Sequence, residues 1–256
     1  MASLSKITAL TVCAVLISAC ASGVPPSRLG EYVGKQQIPG AGTPLLPSRP
    51  VHSGLVVISD TTAPDAAPAL PDEAVHRLTE ILMQRLNDTG TVAIDKVIPA
   101  DTVRPGGDPS QFRELGKKHG VDYVTVVVLS GTEQEYPMTL FLGWVSHSQP
   151  GLRRDNWSLI EVALIEVATG RTVLHAEGRG WATLDRPMAP GINQWYPVVF
   201  LQPGYGALAR HWWPLTYEGA PTTLRVVSMN EAAKRLILNL LDAWIQKQSE
   251  MAAARG

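Results

Sequence analysis

Cysteine is nearly absent from this chain: Cys13 and Cys20 are the two it has. Both fall in the first twenty residues, so the body of the protein has no thiol for a disulfide or a thiolate metal site. Neither charge sign dominates, with 22 basic against 23 acidic side chains. A chain without a basic run has no face for a nucleic-acid partner. Beyond the first twenty residues no apolar run approaches the ~18 residues that a membrane-crossing helix requires. Catalytic signatures are missing too. There is no phosphate-cradling glycine loop, no HExxH and no GxSxG elbow. The histidines at 52, 76, 119, 147, 175 and 211 are scattered, with no pair at metal-ligand spacing. No cofactor and no metal site are expected.

What is present begins at the amino terminus. Lys6 is followed by an apolar stretch from Ile7 to Ile17 and then by Ser18-Ala19-Cys20. A positive region, a short apolar core and small residues before a cysteine form a lipoprotein signal, in which the thiol takes a diacylglycerol before cleavage. Residues 1–19 are expected to be removed, leaving acylated Cys20 as the anchor. The other reading is an uncut membrane anchor, but the apolar stretch is too short for a hydrocarbon core of about 30 Å. Two or three acyl chains, palmitate among them, give stable attachment. Ala21-Ser22 carry no retaining aspartate, so the expected address is the periplasmic face of the outer membrane.

Residues 20–52 are rich in Gly, Pro and Ser, with Pro25-Pro26, Pro39-Gly40 and Pro47-Ser48-Arg49-Pro50. Such a segment buries little apolar area and reads as an extended tether. Residues 53–250 read as one α/β domain. Gly54 to Ser59 is a buried strand, and 72–87 a helix with Val75, Leu78, Ile81, Leu82 and Leu86 on one face. Val92 to Ile98 is a strand. A helix then starts at Asp108-Pro109, shows Phe112 and Leu115 on one side, and ends at Lys117-Lys118-His119 before Gly120. Val121 to Leu129 is apolar enough to be central. Trp157 to Val167 and Arg171 to Leu184 make a hairpin around Ala168-Thr169-Gly170. A last helix opens on a capping box of Ser228 and Glu231, with Ala232, Leu236, Leu240 and Trp244 as its stripe. The expected fold is a mixed five-stranded sheet with helices packed on it, in the order β-α-β-α-β-β-β-α. Residues 137–156 and 186–223 are two long insertions.

Leu115 to Gly131, LGKKHGVDYVTVVVLSG, and Ala163 to Gly180, ALIEVATGRTVLHAEGRG, carry a family likeness. With the closing helix, roughly 53–185 and 226–247, the chain resembles a periplasmic superfamily. It comprises the curli-secretion pore lipoproteins, the amino-terminal domain of the Tol translocation protein, the lipoprotein activators of penicillin-binding proteins and an exopolysaccharide-export ring lipoprotein. The resemblance implies a non-enzymatic scaffold that binds an envelope protein or associates with itself. A ring-forming component of a secretion or polysaccharide-export system is the alternative it implies.

Met138 to Val145 is a short mixed run, and Pro187, Pro190, Pro197, Pro203, Pro214 and Pro221 interrupt the second insertion. Membrane barrel strands need about ten alternating residues each. Glu133 with Glu135, and Glu161 with Glu166, are the carboxylates that could pair for acid–base work on an envelope glycan; solvated edge charges explain them equally. The second insertion gathers Trp195, Tyr196, Phe200, Tyr205, Trp212, Trp213 and Tyr217. Such a concentration fits a membrane-interface patch with Arg210 and His211, a partner contact, or a lid packed on the domain.

Overall fold

The computed structural model describes residues 23–34, 50–106, 110–141, 148–188, 200–203 and 219–253. They form α1 (Leu29–Val33), β1 (Val51–Ser59), α2 (Asp72–Asp88), β2 (Val92–Val97), α3 (Gln111–His119), β3 (Tyr123–Phe141), β4 (Ser148–Glu166), β5 (Thr172–Pro187), β6 (Phe200–Pro203) and α4 (Ala220–Ala253). The expected five-stranded mixed sheet is there, in the order β2-β1-β3-β4-β5. Strand β6 adds a short sixth member at the far edge. Strand β1 pairs parallel with β2 and β3; the rest of the sheet is antiparallel.

Period-two alternation divides the core between the two faces. Leu55, Val127, Leu129, Ile160, Val162 and Leu164 face α2 and α4 with Leu78, Leu82, Leu86, Leu236 and Trp244. Val56, Val124, Val126, Val128, Ala163 and Ile165 face α1 and α3 with Leu29, Tyr32, Val33 and Phe112. Both faces of the three central strands are therefore covered, which is why they read as near-continuous apolar runs.

The turn chemistry is as the sequence implies. Gly120 caps α3 at φ 64°, and Gly170 takes φ 74° in the β4–β5 turn. Asp108-Pro109, expected to start α3, lies outside the described residues.

Three expectations need correction. Strands β3 and β4 are each 19 residues long. The stretch 137–156, expected as an insertion, is strand wherever it is described, with Pro137 opposite Leu152 and Phe141 opposite Ser148. Beyond Leu129, β3 has left its pairing with β1. Proline is tolerated on such an open edge, where no ladder N–H is needed. With β5 alongside, the outer halves form a three-stranded ribbon. Its two faces both carry charge: Glu133, Glu135 and Arg154 on one, Arg153, Asp155 and Asp185 on the other. Neither offers the continuous apolar stripe of a lipid-facing strand.

Helix α4 starts earlier than expected, at Ala220, with Pro221 in its first turn, where a missing N–H costs nothing. Ser228 therefore sits inside the helix. Instead of capping it, the hydroxyl donates to the Arg225 carbonyl at 3.0 Å and meets Ser158 and Asn156 of β4. The third correction concerns residues 23–34, which were expected to belong to the tether. Leu29, Tyr32 and Val33 are buried against the sheet, because three apolar side chains on one short turn find the gap beside α3.

Candidate functional site

The most heavily constrained polar arrangement in the described protein lies under this amino-terminal segment. Glu161 on β4 is fully buried. It accepts the Ser27 hydroxyl at 2.5 Å, the Arg28 N–H at 2.6 Å and the Leu29 N–H at 2.9 Å. A carboxylate removed from water needs several donors to offset lost hydration. Here the chain supplies them from the entry to α1.

A second carboxylate completes the seat. Arg28 donates from Nε to Asp60 at 2.8 Å and from Nη2 to Thr62 at 2.6 Å. Thr62 returns its N–H and hydroxyl to Asp60 at 2.8 and 2.7 Å. Burial pushes the Asp60 carboxyl up, yet the donors from Thr62 and Arg28 outweigh it and hold the group below its ordinary value. The hydrogen bond to Asp60 raises Arg28 against the opposing effect of burial. Burial, with the nearby Asp60 charge, pushes the Tyr32 phenol up to about 12.

Backbone contacts close both ends. Gly106 donates to the Glu31 carbonyl at 2.7 Å, and Gln111 donates to the Tyr32 carbonyl at 3.3 Å. At the start of the segment, the Thr132 hydroxyl donates to the Gly23 carbonyl, and Gly23 lies flat against Trp157. Buried Leu29, Tyr32 and Val33 and these polar contacts hold the segment together.

The residues expected to carry function are placed as follows. Cys20, Trp195, Tyr196, Trp212 and Trp213 lie outside the described residues, as do Tyr205 and Tyr217. Phe200 opens β6 opposite Asp185. Glu133 and Glu135 share a face, as period two requires, and both are in ion pairs: Arg154 lies 3.2 Å from Glu133 and 2.6 Å from Glu135, and Arg225 is 3.3 Å from Glu133. Glu161 and Glu166 are five apart on one strand and point to opposite faces.

His52 pairs with Asp95 and His76 with Glu80 at the surface. Burial lowers His175, although Glu161 and Glu177 pull the other way. Among the described residues no group of His, Cys, Asp and Glu could hold a metal ion, and no helix is long and apolar enough to cross a membrane.

Two hollows lie on the opposite face. One, of about 250 Å³, runs between α2 and α4 past Leu70, Leu78, Ile81, Val226 and Met229. The other, of about 20 Å³, is a crevice for roughly one water beside Ser130, Asn156 and Arg225. Neither gathers free carboxylates. The importance of Glu161 could have been read from one signal alone, an acidic residue inside the apolar run Leu159 to Ile165.

No protein-family model matches the chain, and no curated protein matches it. Solved structures do. The PelC dodecamer from Paraburkholderia phytofirmans is 16% identical over 78% of this chain and 93% of that one, at a TM-score of 0.29. The hypothetical protein CT253 from Chlamydia trachomatis is 10% identical over 77% and 98%, at 0.35. A putative neuraminyllactose-binding hemagglutinin homolog from Helicobacter pylori is 7% identical over 84% and 95%, at 0.38. Superpositions this loose carry no assignment.

Proposed function

We propose that this chain is a lipid-anchored, non-enzymatic envelope protein, held at the periplasmic face of the outer membrane and acting as a partner-binding or self-associating scaffold. The observation that carries the reading is the docking of residues 23–34, which begin three residues after Cys20. A domain clasped to the segment that leads from its own anchor works by position. The described carboxylates support the non-enzymatic part, since Glu133, Glu135, Asp60 and Glu161 are all engaged in ion pairs or hydrogen bonds.

Radiolabelled palmitate should enter the wild-type protein and not Cys20→Ala, and Cys20→Ala should leave the membrane fraction. Equal fractionation of the two, without label in either, would remove the proposal.

The second reading is a ring-forming export component. Leu238 and Ile245 of α4, each 62% exposed, are apolar surface that contact between copies would cover. The mass of detergent-extracted protein separates the two readings. A strict monomer at high concentration excludes the ring.

A further inference from the structure

The seat of residues 23–34 occupies one face of the sheet. The groove between α2 and α4 lies on the other and has a volume of about 250 Å³. Leu78 and Met229 are its buried lining, and Leu70, Ala74, Ile81 and Val226 are half-buried along its sides.

The groove is preformed. Each helix is packed on the sheet through other side chains, Leu82 and Leu86 from α2 and Leu236 and Trp244 from α4, so neither can close on the other without leaving the core. At one end Arg225 of α4 donates from Nη1 to the Pro68 and Ala69 carbonyls, at 3.1 and 3.2 Å, and lies 3.3 Å from Glu133. These bonds fix where Leu70 and Pro71 approach α4.

The lining selects the class of ligand. Leu78, Ile81, Val226 and Met229 stand in helix interiors, where backbone N–H and C=O groups bond along the helix. An extended peptide laid there would find no partner for its own backbone groups and would lose their hydration. An alkyl chain has no such groups and gains from each methylene covered. Charge then sets the head. Glu73 and Arg77, four residues apart on α2, line the same groove and are exposed, and among the described residues neither forms an ion pair. A cation beside an anion complements a headgroup that carries both signs.

We propose that this groove binds a single-chain amphiphile with a zwitterionic headgroup of the phosphoethanolamine class. The acyl chain lies along Leu78 and Met229, the phosphate meets Arg77 and the ammonium meets Glu73. The site goes beyond the scaffold reading and does not depend on it.

Isothermal titration of lauroyl lysophosphatidylethanolamine, kept below its micelle concentration, into the full chain carrying Cys20→Ala tests this with no detergent and no acyl group on the protein. One equivalent should bind. The decanoyl lipid, shorter by two methylenes, should bind about fifteenfold more weakly, about fourfold for each methylene. Arg77→Ala should weaken binding about tenfold through loss of a charge-assisted hydrogen bond. Ala74→Trp, which fills the groove from its side, should abolish binding at an unchanged thermal midpoint; Ile81→Asp, which puts a charge in the same wall, should do so too.

An absence of binding, binding that both Ala74→Trp and Ile81→Asp leave intact, or equal binding of dodecyl maltoside with no effect of Arg77→Ala overturns the proposal. So does binding that emerges only when residues 204–218 are deleted, since a segment of the chain itself is then the occupant.

Discussion

The backbone carbonyl of Ser228 lies where the Cβ of any residue other than glycine at position 180 would have to go. Gly178 stands in the same relation to Ala232 and Leu236. Helix α4 therefore rests directly on the main chain of β5. A methyl at either site must push the helix off the strand, since both obstructing groups are backbone. Gly180→Ala is expected to cost about 1–3 kcal/mol or more, the range for overpacking. A shift of the urea midpoint to lower concentration with unchanged slope checks this.

Acid should loosen the docked segment 23–34. Asp60 is held below its ordinary value in the folded protein, so its contribution is fully present above the unfolded value near 4 and is lost as pH falls through the folded one. Hydrogen exchange of residues 24–34 is the measurement. Protection there should drop below about pH 4 while that of β3 persists, and Asp60→Asn should already show weak protection at neutral pH.

Tyr32 gives the opposite limb. Its phenol titrates at about 12 in the folded protein. The unfolded group ionises near 10, so the neutral form favours folding below that, and its contribution disappears as pH rises from about 10 to 12. Ultraviolet titration of phenolate should show a late component that Tyr32→Phe removes. If the variant's curve superimposes on wild type after scaling for one tyrosine, the burial assigned to Tyr32 is mistaken.

The aromatic insertion invites a paired substitution. Trp212→Ala with Trp213→Ala should reduce binding to liposomes or to a partner if these rings form a contact, with little change in thermal midpoint. Unchanged binding together with a lower midpoint would mean that they pack on the domain itself.

The sheet was readable because its strands are buried on both faces: Val124 to Leu129 can hardly be anything but a central strand, and Gly120 and Gly170 mark turns that require positive φ. The ribbon was not, because Pro137 and the charges from Arg153 to Asp155 look like a loop until β4 and β5 are seen to continue beside them. Residues 23–34 were harder still. A five-residue helix has too few positions to show a period, and Pro25-Pro26 argue for extension. What orders the segment is a carboxylate remote in sequence: Glu161 stands out within the apolar run Leu159 to Ile165, but nothing there says which segment it holds. Ser228 has capping-box spacing with Glu231, but the helix already begins at Ala220 with Pro221 in its first turn.

The Leu29 N–H reaches Glu161 across 132 positions. Among the described contacts this is one of the most distant in sequence, and such contacts form after local ones because loop closure must precede them. The segment made first thus has its seat only after β4 has been made. Until β4 exists, residues 23–34 have no Glu161 to hold them.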